Sequence, residues 1–274
     1  MEEYNLLATC PQDTRNVLAT ELSNLGAYNI AEEYKGVRFT ASKETLYRSH
    51  LQLSTASALL WIIKRRPIKN LAMLADQTSR IKWHQIFSNK KTFKVDVVLA
   101  DRGAGTPKSN DVSASARKGI EDRFAKEGIS PPVVSLKDPD IVVVVFYKQD
   151  KTEISIRTSG EALHKRGYRL SGHKAPLKET VAATVLRLAN YTGTKDLFDP
   201  FCGSGTTGVS CALSSRKFIG IDKEKKYLHI SKNRIDEVLQ GNFKNIRSDK
   251  PVADHKKSYL WRDFDFKNWK MKDK

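Results

Sequence analysis

The stretch Asp199-Pro-Phe-Cys-Gly-Ser-Gly-Thr-Thr-Gly208, followed at Asp222 by a second aspartate, constrains this chain more than any other. The run Asp196-Leu-Phe leads into it, and a helix-like run from Thr207 to Leu213 follows. Next come Lys217-Phe-Ile-Gly-Ile and then Asp222. The order reads strand, Gly-rich turn, helix, strand, acid, which is one half of a nucleotide-binding α/β unit. Glycine has no Cβ, so such a turn can take positive φ and bring bare backbone up to a ligand. An acid about 20 residues on, at the tip of the second strand, can accept hydrogen bonds from both ribose hydroxyls. A Gly-rich turn in an unrelated α/β domain would share the glycines, so the downstream acid carries the added weight.

Partners are constrained by charge. The chain has 274 residues and a formal net charge of +17. That length suits one large domain or two modest ones, and that charge favours a polyanion, most simply nucleic acid. Charge alone would also suit an anionic membrane, but no run approaches the roughly 18 apolar residues of a spanning helix. The N-terminus shows no signal-peptide pattern. Cys10, Cys202 and Cys211 have no metal-ligand spacing and leave an odd thiol, against a disulfide framework. A cytoplasmic protein without a bound metal is the expectation.

Along the chain, Tyr4 to Thr9 reads as a strand and Asp13 to Leu25 as a helix. Ile30 to Thr40 holds two short strands, Lys43 to Leu53 is helical, and Ala58 to Lys64 is an apolar strand. This order predicts a small α+β sandwich of the ferredoxin-like kind over residues 1–64. Over residues 65–160, helices are expected at Leu71 to Gln77, Trp83 to Phe87 and Ser113 to Glu127. Strands are expected there at Thr92 to Ala100, Ile141 to Tyr147 and Thr152 to Thr158. A basic, turn-rich linker spans 161–178, a partial α/β Rossmann-like unit 179–248, and a basic tail 249–274, where residues 244–274 carry 10 Lys/Arg against 5 Asp.

Asp-Pro-Phe-Cys-Gly-Ser-Gly-Thr and the acidic strand after it closely resemble motif I of class I S-adenosylmethionine (SAM) methyltransferases, in the form found where exocyclic base nitrogens are methylated. Upstream, Asp138-Pro-Asp-Ile141, Ile154-Ser-Ile-Arg-Thr-Ser-Gly160, Leu163-His-Lys-Arg-Gly-Tyr-Arg169 and Ala175-Pro-Leu-Lys-Glu179 form a series. It resembles a THUMP domain running into the methyltransferase domain of bacterial rRNA large-subunit guanine-N2 methyltransferases and related tRNA enzymes. Ser115-Ala-Arg-Lys-Gly-Ile-Glu-Asp-Arg-Phe124 is similar to that family's basic THUMP helix. The resemblance implies an RNA-binding module, ferredoxin-like plus THUMP, ahead of a SAM-binding domain, with rRNA or tRNA as partner.

It also implies roles for single residues. Gly203, Ser204 and Gly205 would bring backbone N–H groups to the amino-acid end of SAM, within the turn that Pro200 opens. Asp199 would meet its ammonium group and Asp222 its ribose. Thr206 would cap the following helix, and Lys178 would approach the cofactor pocket. For RNA, Lys118, Arg123 and Lys126 span about 140° of a helix at roughly 100° per residue, so they could meet phosphates together. Arg117 falls outside that arc and rests on the resemblance. Lys165, Arg166 and Arg169, with His164 and Tyr168, mix cations with stackable rings, as a splayed RNA segment requires. A solvated basic face and an interdomain brace are the plainer readings of these two sets.

Catalysis has no such assignment. Enzymes of this type use Asn/Asp/Ser-Pro-Pro-aromatic to accept the amine's protons and stack the base. The one Pro-Pro here is Ser130-Pro131-Pro132-Val133, with valine at the aromatic position, and it reads as a turn. The segment from Arg216 to Ile235 also resembles the end of permuted DNA amino-methyltransferases. Three readings stay open: a subunit whose catalytic strands come from a second polypeptide, a non-catalytic RNA binder, or a divergent motif in the tail using Trp261 or Trp269. A DNA amino-methyltransferase is the remaining alternative.

Overall fold

The computed structural model describes residues 3–100, 105–148, 150–160, 162–163, 178–191 and 193–241. They fall into two compact units, one built from the chain up to Leu163 and one from the chain after it.

In the first unit the strands are β1 (Glu3–Thr9), β2 (Tyr28–Glu33), β3 (Gly36–Ser42), β4 (Ala58–Arg66), β5 (Phe93–Leu99), β6 (Ile141–Tyr147) and β7 (Thr152–Arg157). The helices are α1 (Arg15–Asn24), α2 (Lys43–Gln52), α3 (Leu71–Ser79), α4 (Trp83–Ile86) and α5 (Ser109–Lys126). All seven strands join one sheet in the order β2-β3-β1-β4-β7-β6-β5. Its first four strands, antiparallel with two helical crossovers, have the ferredoxin-like arrangement that the element order predicts. The second half is joined to it through β4, which pairs antiparallel with β1 on one side and β7 on the other. Trp61 on β4 packs against the hydrophobic clusters of both halves and meets Tyr4 edge-on at 5.4 Å.

Side-chain alternation along the strands sorts the two faces of the sheet. Leu6, Ala8, Val37, Phe39 and Leu59 are fully buried with Leu18 and Leu22 of α1 and Leu46 of α2. Val143, Val145 and Ile156 face the α3–α5 side with Val112, Ala116 and Ile120 of α5. The opposite parity, Leu7, Leu60 and Val144, forms a separate small cluster on the other face. Helix starts follow side-chain chemistry: Ser42 Oγ accepts from Thr45 N at 3.2 Å, and Asn70 Oδ1 accepts from Met73 N at 2.8 Å. Helix α5 begins one turn earlier than the expected Ser113. Asp111 sits in that extra first turn, where a negative charge complements the helix dipole. Gly119 lets α5 approach α3, because a Cβ there would run into the Ala75 carbonyl oxygen and Thr78.

The second unit contains α6 (Glu179–Leu188), β8 (Leu197–Asp199), α7 (Thr206–Leu213), β9 (Phe218–Gly220) and α8 (Lys225–Leu239). Strands β8 and β9 pair in parallel, with Leu197 opposite Phe218 and Phe198 opposite Ile219. Gly208 of α7 admits the Phe218 ring and Ile235 of α8, so one face of this ribbon is packed. On the other face Phe198 is 58% exposed and Ile219 64% exposed. The linker 161–178, apart from 162–163 and Lys178, and the tail 249–274 lie outside the described residues.

Candidate functional site

Two parallel strands ending side by side place their C-terminal loops together, the position where open α/β sheets bind ligands. β8 ends at Asp199 and β9 at Gly220, and Ile221 N donates to the Asp199 carbonyl at 2.9 Å. Cys202 N in turn donates to the Ile221 carbonyl at 2.9 Å, which ties the Gly-rich turn to the second strand. The turn therefore lies across both strand tips.

The acid predicted to follow the turn is bonded directly to it. Asp222 Oδ2 accepts from Gly203 N at 2.8 Å, and Asp222 Oδ1 accepts from Glu224 N at 2.9 Å. Asp199 closes the other side: Oδ1 accepts from Phe201 N at 3.0 Å and Oδ2 from the Thr207 hydroxyl at 2.6 Å. Each carboxylate oxygen has two lone pairs, so both acids are held in place by the chain while keeping acceptor capacity. Gly203 and Gly205 have φ of +51° and +79°. At Gly205 a Cβ would also strike Ser231 of α8, so glycine is required on two counts. Arg234 Nη1 donates to the Ser204 carbonyl at 2.7 Å and approaches Ser204 Oγ at 3.2 Å, anchoring the turn from α8. No sequence pattern singled out Arg234; its contact is made across 30 residues.

Thr206 does not cap α7. The left-handed Gly205 is the N-cap, with no side-chain hydrogen bond, and it turns the chain into the helix one residue early, which makes Thr206 an exposed first helical residue. Thr207 supplies the fixing contact through Asp199. Pro200 is exposed at the start of the turn. Lys178 is the exposed N-cap residue of α6, and its carbonyl accepts from Val181 N and Ala182 N, each at 3.0 Å. Cys202 is buried, and burial, reinforced by Asp199 and Asp222, pushes its thiol pKa up, the opposite of what a nucleophile needs.

The arrangement suits an adenosyl cofactor. The first-turn N–H groups of α7 have no intrahelical acceptor and carry the positive end of its dipole. The carboxylate end of SAM would meet them over the bare glycine surface.

On α5 the predicted basic residues separate. Arg117, Lys118 and Lys126 are exposed, whereas Arg123 is largely covered and pairs with Glu127. Arg117 pairs with Glu121 at 3.4 Å. His164, Lys165, Arg166, Tyr168 and Arg169 lie outside the described residues. Among the described residues no group of acids, histidines and cysteines could hold a metal, and no helix is long and apolar enough to cross a membrane.

Comparison with known proteins follows the same division. Residues 5–60 match the RlmL ferredoxin-like domain, residues 69–157 the THUMP domain, and residues 166–255 the RMKL-like methyltransferase domain. Ribosomal RNA large subunit methyltransferase K/L of Shewanella pealeana is 34% identical over 223 residues, covering 81% of this chain and 31% of the relative. That of Shewanella amazonensis is 35% identical over 211 residues, covering 77% and 30%. The chain thus spans under a third of the length of these curated relatives. Among solved structures, SMU.472, determined as a complex with SAH, superposes with a TM-score of 0.72 at 21% identity, covering 90% of this chain and 74% of that one. TrmN from Thermus thermophilus gives 0.63 at 21% identity, covering 90% and 72%. At these identities the superpositions bear on fold alone. Domain by domain, then, the chain is similar to the RlmL ferredoxin-like, THUMP and RMKL-like methyltransferase families, in the order in which they occur along it.

Proposed function

We propose that this chain is the RNA-holding and cofactor-binding part of a SAM-dependent methyltransferase that acts on ribosomal RNA, with a guanine N2 amine as acceptor. The observation that carries the proposal is the Gly-rich turn held across two parallel strand tips by the Asp222–Gly203 bond. The relatives' names supply the rRNA substrate, and the +17 charge fits it. When bound, SAM supplies an electrophilic methyl group on a sulfonium. Gly203 to Gly205 and the α7 N-terminus would hold its amino-acid end, Asp199 the ammonium and Asp222 the ribose. Arg117, Lys118 and Lys126 would meet RNA phosphates. Residues 1–64 and 65–160 serve as the RNA-holding domains and 179–248 as the cofactor domain. Three free cysteines fit a reducing, cytoplasmic setting.

Methyl transfer to an exocyclic amine also needs an acceptor for the amine proton and a ring to hold the base. The Pro-Pro-aromatic motif that supplies both is not in this sequence. Among the described residues the β8–β9 ribbon has open edges and a bare Phe198–Ile219 face, and further strands at the edges with a layer on that face, from polypeptide outside the described residues, would cover both.

Calorimetric titration of SAM into the purified chain tests the cofactor half. The wild type should release heat, and Asp222→Ala should abolish it, while Asp222→Asn retains partial binding. A wild type without heat would overturn the reading. Retention of rRNA fragments against duplex DNA at matched salt tests the substrate half, because a basic chain binds any polyanion when salt is low.

A further inference from the structure

One face of the seven-stranded sheet carries no helix among the described residues, and it contains a cavity of about 510 Å³, within the size range of small-molecule sites. Its floor is apolar: Leu7, Leu60, Val144 and Phe146, from β1, β4 and β6. Over the floor hangs Lys35, from the turn between β2 and β3, with Nζ 3.5 Å from the Phe146 ring centroid. Along the sheet β3 and β6 are four strand spacings apart, about 19 Å if flat. No lysine spans that, so the sheet curls and folds its β2–β3 corner over its own concave face. Glu33 fixes the corner through Arg65 at 2.8 Å, Arg38 at 3.1 Å and Lys151 at 3.8 Å.

Inside this pocket two polar groups lack full partners. Lys35 Nζ is buried with no hydrogen-bond acceptor. Glu153 is 6% exposed, receives the Ser155 hydroxyl at 3.2 Å on Oε1, and has Arg65 only at 3.9 Å from Oε2. A buried donor beside a buried acceptor, above an aromatic floor, is the complement of a planar ring whose edge presents an acceptor and a donor together. At the rim stand Lys148 and Lys151, both more than a third exposed, with Tyr34 73% exposed beside them. A phosphate attached to such a ring would meet these cations outside the pocket. Of the acids at the rim, Glu33 is already neutralised by two guanidinium groups, whereas Asp150 pairs with Lys148 at 3.0 Å and is the carboxylate a phosphate would have to displace.

We propose that this concave pocket binds a nucleoside monophosphate unit, with the base on the Leu7–Leu60–Val144 floor beside the Lys35-covered Phe146 ring, its edge read by Lys35 and Glu153, and its phosphate at Lys148 and Lys151. An unpaired nucleotide of RNA and a free mononucleotide share this chemistry, and the RNA source rests on the function proposed above. The site lies wholly in the N-terminal unit, so it can be tested without any cofactor.

Fluorescence anisotropy with short labelled single-stranded RNAs of different base composition, at physiological salt, provides the readout. Wild-type chain should prefer one base. Lys35→Met should weaken binding of that RNA at least tenfold and flatten the preference. Phe146→Leu keeps an apolar floor but removes the ring that seats the Lys35 ammonium, and should cost about tenfold. Lys148→Gln should weaken all sequences alike and reduce the salt slope by about one. Competition by the free mononucleotide, lost in Lys35→Met, would identify a soluble nucleotide as the source; no competition would identify RNA. Lys35→Met binding every RNA as the wild type does would overturn the inference while leaving the proposed function intact. SAM heat without any RNA or nucleotide binding would overturn it too.

Discussion

The two units differ in how completely they bury what they expose to packing. In the first, both halves of a seven-stranded sheet close over full hydrophobic clusters, with Phe39, Phe93, Trp83 and Phe124 almost wholly inaccessible. In the second, the buried cluster is Val209 and Val238 with Ala212 and Ile235 against them, while Phe198, Phe201 and Ile219 remain largely exposed. A two-stranded ribbon is marginal without further packing, whereas seven strands with helices on one face form a self-sufficient core. The first unit therefore has the burial of a finished domain. Among its described residues, the second has a tightly bonded Gly-rich turn on a two-stranded ribbon. Binding chemistry and sheet completion are separable properties, and the substitutions below test that separation.

The largest effect should come from Gly119→Leu. Any side chain there must displace the α3 backbone at Ala75, which has no rotamer to give, so the first unit should lose about 3 kcal/mol or more. Denaturant unfolding followed through the N-terminal tryptophans measures it. Gly205→Ala makes the matching change in the second unit, combining a positive φ with a clash at Ser231. It should abolish SAM binding and leave the N-terminal transition unmoved. A shift of that transition by Gly205→Ala would show that the two units do not fold independently.

Glu21→Ala should come next. This carboxylate is 4% exposed and accepts from Ser54 N and Oγ, each at 2.7 Å, and from Thr55 N at 3.2 Å and Oγ1 at 2.6 Å. Its loss strands four donors beneath the loop into β4, at a cost of about 2–4 kcal/mol. These contacts lie wholly within the first unit, so equilibrium unfolding should show a loss in the N-terminal transition only.

How far the sequence discloses all this depends on the range of the signal. Ile141 to Tyr147 is legible to the residue because its β-branched run has one reading, and the Gly-rich turn is legible because glycine pattern and acid lie within one α/β unit. The single sheet was not legible, because β4 pairing with β7 is a relation across some ninety residues that no local period records. The same holds for Arg234 on the turn and for Lys35 above Phe146. Thr206 was misjudged because a threonine ahead of a helical run reads as a cap, whereas glycine caps about as well and here the turn geometry decides.

A pH series should sharpen the picture of the concave pocket. Burial pushes the Lys35 ammonium down to about 8 from 10.5, with Glu153 acting in the opposite direction. Between those values the unfolded chain holds the proton and the folded chain has lost it, so stability rises with pH across the window, and the full penalty is present below it. Lys35→Met removes the penalty. At neutral pH the variant should be more stable than the wild type by about 1–2 kcal/mol, after discounting for the part of the side chain that meets solvent. The gap should close as pH approaches the unfolded value. A gap that stays constant across the series would place the Lys35 cation in solvent.

The smallest effect is the most informative about the second unit. Phe198→Thr and Ile219→Thr replace apolar side chains that stand side by side on the bare face of the β8–β9 ribbon. Burial of such side chains is worth about 1.5–3 kcal/mol each. Where they are exposed, that stabilisation is not collected, and threonine keeps the β propensity. In this chain, then, the double substitution should change stability by less than about 0.5 kcal/mol and should leave SAM binding within twofold. Thermal unfolding and calorimetry together read both. A loss of more than 2 kcal/mol would mean that the face is already covered in solution, by a second copy or by another part of the chain. The contrast between a closed unit and an open one would then be withdrawn. A negligible loss, growing only when polypeptide that completes the sheet is added, would locate the covering surface at these two side chains.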